Sequence, residues 1–160
     1  MKKFRILFAA LVAALSVWTV GHTSVHAAGA GAVTFTQTDH NLTTVQASSN
    51  PCTGAPGTLT TTVNDVFHGT MLANGTDWFT GTITGTFTFV PTDTTQPSYT
   101  GHFTDWFNQN ANLQNGNLTF TTTIHGTGSD GSSLTFHEVG HITMSASGQI
   151  TVAFDKATCG

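Results

Sequence analysis

The chain of 160 residues has few charged side chains, and positive ones are the scarcest. Lysine and arginine together number four, and three of them fall within the first five residues. From residue 28 onward, Lys156 is the single cation against seven Asp and one Glu, which gives this part a net charge of −7 with histidine neutral. One cation cannot neutralise a phosphate backbone, so nucleic acid is excluded as a partner. Anionic membrane surfaces are disfavoured for the same reason.

The N-terminal segment has a basic start, an apolar run over residues 6–20 and a small-residue end with Val25 and Ala27. Those two residues fit the −3 and −1 positions of a signal-peptide cleavage site. The apolar run is shorter than the roughly 20 residues of a membrane-spanning helix. We therefore predict a cleaved signal peptide over 1–27, a single secreted domain over 28–160 and an extracellular location.

Cysteine is also scarce, because Cys52 and Cys159 are the only two in the chain. An exported protein with two cysteines usually joins them. The bond would close a loop of about 107 residues. No Cys-x-x-Cys spacing favours a metal site or a redox motif instead.

Helical periodicity is absent after the N-terminal segment, and alternation with period two takes its place. The clearest run is WFTGTITGTFTFV at 78–90, where threonine occupies every even position from 80 to 88 and apolar residues or glycine occupy the odd ones. That pattern is typical of a half-buried strand. Similar segments, separated by turn clusters, are 32–38, 58–71, 98–107, 117–127, 133–145 and 149–155.

These segments predict an all-β fold, a single antiparallel meander of seven to eight strands. A closed β-barrel and a two-sheet sandwich both fit this strand count. Glycines at inward positions, such as Gly81, Gly101 and Gly140, favour strongly bent strands and hence the barrel.

The segment His137-Glu138-Val139-Gly140-His141 matches the H-E-x-x-H signature of zinc proteases. That signature needs a helix, because only there do both imidazoles reach one zinc ion. The flanks alternate and are rich in β-branched residues, so we predict a strand. On a strand the Cα atoms of His137 and His141 would lie roughly 13 Å apart, too far for joint ligation of zinc. We therefore do not assign a zinc protease site.

Alternation places three carboxyl side chains, Asp65, Asp105 and Glu138, on the apolar faces of three strands, with Tyr99 on the same side. Buried carboxyl groups are costly unless they are paired or protonated. We predict a ligand-binding spot formed by Asp65, Tyr99, Asp105 and Glu138. The alternative is that each group turns to water at a bulge or makes an internal hydrogen bond.

The histidines alternate with the apolar residues and therefore belong to the threonine-rich face. Pairing of His102 with Thr123, and of Thr123 with His137, would bring His102, His125 and His137 together as a weak surface site for a divalent transition metal. No dedicated cofactor is implied. Trp78 and Trp106 lie on the same face, where they could contact a protein or carbohydrate partner.

Residues 99–141, YTGHFTDWFNQ to FHEVGH, together with the terminal Cys-Gly, resemble a group of small secreted bacterial proteins of unknown function. The resemblance extends from about Cys52 to Gly160. It implies export and a compact β domain, and it implies no activity.

The function expected from the sequence is non-catalytic binding of a small apolar ligand or a surface partner by a secreted, disulfide-closed β-barrel. One alternative is an enzyme of the cyclase or isomerase kind that uses the inward carboxyl groups. A second alternative is a cell-surface interaction module that uses the Trp, His and Thr face. The sequence leaves the oligomeric state open.

Overall fold

A computed structural model describes residues 31–160, and all the secondary structure in this part is β. The predicted signal peptide lies outside the described residues. Among residues 31–160, no helix is both long enough and apolar enough to cross a bilayer. The seven strands are β1 (Val33–Ser49), β2 (Pro56–Met71), β3 (Asp77–Pro91), β4 (Tyr99–Ala111), β5 (Asn115–Gly128), β6 (Ser133–Ser145) and β7 (Ile150–Cys159).

The strands form one antiparallel sheet in chain order from β1 to β7, which confirms the predicted meander. All seven strands belong to this sheet, so the two-sheet sandwich does not form. The strand order leaves β1 and β7 at opposite edges. The closed barrel that the sequence favoured is therefore not confirmed.

The first strand is much longer than the segment 32–38 that alternation predicts. A register shift between Asp39 and Leu42 explains the difference. Within this bulge Asn41 has a φ of 56°, in the left-handed region that asparagine tolerates. The bulge changes which positions face inward, from odd numbers before it to even numbers after it. Alternation is thereby interrupted, although the backbone pairing with β2 continues to Ser49.

The predicted disulfide is present and shows that the sheet is strongly curled. Cys52 lies in the β1–β2 loop and Cys159 ends β7, yet their Cα atoms are 5.8 Å apart. In a flat sheet, β2 and β7 would be separated by five strand spacings, or about 24 Å. The sheet must therefore bend until its two edges approach each other at this end. We call the side toward which it bends the inner face, and the other side the outer face.

Phenylalanine rings lie over glycines of neighbouring strands on the inner face. A Cβ atom at Gly81 would come within 2.5 Å of the Phe107 ring and 2.6 Å of the Phe67 ring. Both phenylalanines pair directly with Gly81, from β4 and β2 respectively. The ring of Phe120 covers Gly140 on β6 in the same way. Because glycine has no side chain, the phenylalanine rings have room to lie against the curled backbone.

The best-packed part of the inner face lies near the disulfide. Phe87, Phe89 and Leu134 are buried there, each 7 % exposed or less. The residues that pack against them are Cys52, Leu59, Tyr99, Phe103 and Ile124. The disulfide and the hydrophobic core thus hold the same end of the sheet.

Removing the disulfide should destabilise the fold strongly. In the Cys52→Ala/Cys159→Ala variant we expect the free energy of unfolding to fall by about 4 kcal/mol, because a bond that spans 107 residues no longer restricts the unfolded chain. Urea unfolding followed by circular dichroism measures this. Dithiothreitol should destabilise the wild type similarly and leave the variant unaffected. A loss below about 1 kcal/mol would contradict the role given to the bond.

Gly101 should tolerate no side chain, because a Cβ atom there would collide with the carbonyl group of His125 and with the Gly126 Cα. We expect Gly101→Ala to lower the free energy of unfolding by about 2–3 kcal/mol. Gly116→Ala is the matched control, since its nearest neighbour would lie at an ordinary 3.6 Å. If urea titrations give the two variants equal stability, the backbones of β4 and β5 must be far enough apart at Gly101 to accommodate a Cβ atom.

Candidate functional site

One row of paired residues carries most of the carboxyl groups of the inner face. The row crosses the sheet from β1 to β6 and contains Asp39, Asp65, Ile83, Asp105, Thr122 and Glu138 in that order. We call these six residues the carboxyl row. Three of the residues that the sequence indicated as a ligand site thus share one level of the sheet. Their role in binding stays a prediction.

Two oxygen atoms of this row are buried and have no hydrogen-bond partner, Asp65 Oδ1 and Asp105 Oδ1. The Asp65 residue is 5 % exposed, and Thr122, between Asp105 and Glu138, is 3 % exposed. An unpartnered buried oxygen costs roughly 1–3 kcal/mol, and more if it is charged. The row therefore contains polar atoms whose hydrogen bonds the described part of the chain does not supply.

The pKa values of the row show how these acids are accommodated. Burial raises the pKa of Asp105 to about 6, against an opposing hydrogen bond from Thr122. Burial raises the pKa of Glu138 to about 7, and the charge of Asp155, a hydrogen bond shared with it and the charge of Asp105 add to the effect. Near neutral pH, both groups therefore hold a proton for part of the time.

Asp65 follows the same pattern at the other end of the row. Its pKa is raised by burial and then by the charge of Asp39, which pairs with it across β1 and β2. A backbone hydrogen bond from Asp39 and the charge of His40 act in the opposite direction. Within residues 31–160 no Lys or Arg side chain reaches the row, because Lys156 pairs with Val139 on the outer face.

Tyr99 does not join the other predicted ligand-binding residues. It lies six residues before Asp105 on β4, about 20 Å along the strand. Its hydroxyl group is hydrogen-bonded to Ser132 Oγ at 3.1 Å, and its ring packs into the core near the disulfide. The structure thus brings together Asp65, Asp105 and Glu138 and separates Tyr99 from them.

Two members of the acidic group were missed by the sequence prediction. Asp39 lies next to the β1 bulge, where the alternation stops. The predicted strand 32–38 therefore ended one residue before Asp39. Asp155 lies on β7, where it pairs with Gly140 and approaches Glu138 diagonally. Only the register of β7 against β6 shows that the two acids interact.

The H-E-x-x-H segment lies on strand β6 rather than on a helix, as predicted. His137 and His141 belong to the outer face, while Glu138 belongs to the inner face. Their imidazole Nδ1 atoms are hydrogen-bonded to Thr123 at 3.2 Å and Thr119 at 2.8 Å. Throughout residues 31–160, no group of three or more His, Cys, Asp or Glu side chains is placed to hold a metal ion.

The register between β4 and β5 differs from the expected one by two residues. Thr123 pairs with His137 as predicted, but it pairs with Thr104 on its other side. His102 instead faces His125 directly, with ring centroids 5.5 Å apart. His137 lies diagonally from His125, so the three predicted metal ligands do not form one cluster.

A polar groove of about 290 Å³ adjoins this histidine pair on the outer face. Gly101 and Gly126 pair at its floor and hydroxyl side chains flank it. Elsewhere on the outer face Trp78 and Trp106 are 43 % and 41 % exposed. The lining residues of the groove are Thr100, Gly101, His102, His125, Gly126, Thr127, Ser133, Leu134 and Thr135.

Comparison with known proteins gives no family model, no curated protein and no solved structure that matches the chain. The resemblance to secreted bacterial proteins therefore remains a prediction.

The carboxyl row should make the protein more stable in weak acid than in weak base. Because Asp105 and Glu138 bind protons more tightly in the folded chain than in the unfolded chain, their stabilisation is complete below about pH 4. This stabilisation is lost as the pH rises through the pKa values of the folded protein, about 6 for Asp105 and about 7 for Glu138. Raising the pKa of Asp105 from 3.8 to about 6 corresponds to about 3 kcal/mol. We expect a higher Tm at pH 5 than at pH 8.

Thermal unfolding of Asp105→Asn and Glu138→Gln should show a smaller difference between the two pH values. Asp130→Asn is the control, since hydrogen bonds from Ser132 lower the pKa of this turn residue and it titrates below the tested range. A wild-type Tm that is equal at pH 5 and pH 8 would contradict the burial of the row.

Proposed function

We propose that this protein is a secreted, non-catalytic binding protein that holds a small, largely apolar molecule against its inner face. The curled sheet would then act as an open-sided barrel that the disulfide joins at one end. The observation that carries it is the presence of two unpartnered oxygens, Asp65 Oδ1 and Asp105 Oδ1, on the face that also carries the buried side chains of Ile83, Phe87 and Phe120. A ligand whose polar group reaches one of these oxygens would supply its missing hydrogen bond.

The polar group of that ligand should donate hydrogen bonds and carry positive charge. Carboxylate oxygens are acceptors, and a cation would favour their ionised form. The rows on either side of Asp105 supply Phe103 and Phe107, so an ammonium group at the row would meet aromatic rings. Because no three acids lie close enough together in the described chain to hold a metal ion, an organic amine fits better than a bare metal.

Export is consistent with this function. The Cys52–Cys159 disulfide is compatible with an oxidising compartment. The predicted leader over residues 1–27 supports the same location. An extracellular protein with a strong excess of acidic groups would also attract cationic ligands from solution.

Three compounds with one octyl tail test the proposal: octylamine, octanol and octanoate. By calorimetry at pH 7.5 we expect octylamine to bind at least tenfold more tightly than octanol, and octanoate to bind most weakly. Asp105→Asn should weaken octylamine binding about tenfold, or 1.4 kcal/mol, with little effect on octanol. Asp130→Asn, in an exposed turn, should change neither.

Equal affinity for all three compounds would contradict the proposal that the carboxyl row binds the polar group of the ligand. Absence of binding by any of them would contradict an apolar site on the inner face. Chromatography of octylamine after incubation should return the compound unchanged, as expected for binding without catalysis.

An enzyme of the cyclase or isomerase kind is the second candidate, and one observation favours it. Glu138, with a pKa of about 7, could give or take a proton near neutral pH. Tyr99, the other predicted polar group, lies too far away to assist. Turnover of a ligand that is abolished in Glu138→Gln would favour this candidate over simple binding.

The third candidate is an interaction module on the outer face. Exposed Trp78 and Trp106 favour it, since a large exposed aromatic side chain often contacts a partner. Trp106 pairs with Thr82, four residues along β3 from Trp78, so the two rings belong to separate parts of the sheet. Quenching of tryptophan fluorescence by a partner, with no effect of the inner-face variants, would support this candidate.

A further inference from the structure

Five histidines on the outer face of the strands divide into two kinds by their hydrogen bonds. His68, His137 and His141 each bond through Nδ1 to a threonine on the neighbouring strand, at 2.8–3.2 Å. His102 and His125 make no such side-chain bond within residues 31–160. These two face each other across β4 and β5 instead, and both are exposed.

The spacing of the His102 and His125 rings matches that of two imidazoles on one metal ion. Their centroids are 5.5 Å apart and their planes are inclined at 40°. A metal–nitrogen bond of about 2.1 Å puts each ring centroid roughly 3.2 Å from the metal. For tetrahedral or square-planar angles, the two centroids would then be roughly 4.5–5.3 Å apart. A small rotation of exposed side chains is enough to close the difference.

We propose that His102 and His125 form a two-imidazole binding site for a divalent transition metal ion. Cu²⁺ should bind most tightly of the first-row ions, followed by Ni²⁺ and Zn²⁺. The site lies on the outer face, so it is independent of the ligand proposed for the inner face.

The surroundings leave the remaining coordination positions open. No other His, Cys, Asp or Glu joins the pair to make a group of three in the described chain. The polar groove beside the pair is bordered by the hydroxyl groups of Thr100, Thr127 and Ser133, with space for solvent ligands. A metal held in this way would exchange freely and could bind an additional small ligand at its open positions.

The backbone pairing next to His102 and His125 holds the two histidines opposite each other. Gly101 and Gly126, the neighbours of the two histidines in sequence, pair directly with each other. At Gly101 the two strands approach so closely that even a Cβ atom would collide with β5. The backbone that carries the two imidazoles is therefore fixed on both strands, which reduces the entropy lost when a metal binds.

The test is a titration of untagged, disulfide-bonded protein with CuCl₂, followed by calorimetry and electron paramagnetic resonance. We expect one Cu²⁺ per chain with imidazole nitrogen coupling in the spectrum. His102→Thr and His125→Thr should each weaken binding at least tenfold, while threonine keeps the strand residue type of this face. His68→Thr, an exposed histidine on β2, is the matched control and should bind as the wild type does.

Circular dichroism of each variant checks that it is folded before binding is compared. The proposal is wrong if the His102→Thr/His125→Thr double variant binds Cu²⁺ as tightly as the wild type. It is equally wrong if His68→Thr loses as much affinity as either site variant, or if the folded wild type binds no Cu²⁺.

Discussion

The contact between a phenyl ring and a glycine of the adjacent strand is the interaction on which the rest of this fold depends. A seven-stranded sheet that bends enough to bring its edges together at one end has little space on its inner face. Glycines such as Gly81 and Gly140 make that space, and Phe107 and Phe120 fill it. Rings packed directly on the backbone exclude water without a second layer of secondary structure. A single sheet can thereby form its own core.

The carboxyl row lies within this aromatic surface. Asp105 is flanked along β4 by Phe103 and Phe107, and Glu138 follows Phe136 on β6 at the same spacing. Their burial is made tolerable by bound protons rather than by paired cations, since Lys156, the one Lys or Arg within residues 31–160, is on the other face. Asp105 and Glu138 can therefore exchange protons near neutral pH.

Period-two alternation was sufficient to predict the meander and the faces of β2 to β6, and the two cysteines of an exported chain were sufficient to predict the disulfide. Local patterns could not predict features that depend on register. The bulge at Asn41 interrupted the alternation of β1, so Asp39 was missed. A two-residue difference in β4–β5 pairing placed His102 opposite His125 rather than Thr123. Closure of a barrel depends on long-range geometry that strand count alone does not determine.

The last strand has a consequence for how the molecule opens. Every residue of β7 is exposed, so burial contributes little to holding it against β6. Its far end, however, is tied covalently through Cys159 to Cys52, in the β1–β2 loop on the other side of the curl. Local opening of this strand is therefore directional, starting at Ile150 and stopping before the cross-link. Amide hydrogens of β7 should therefore exchange fastest near Ile150 and slowest near Cys159.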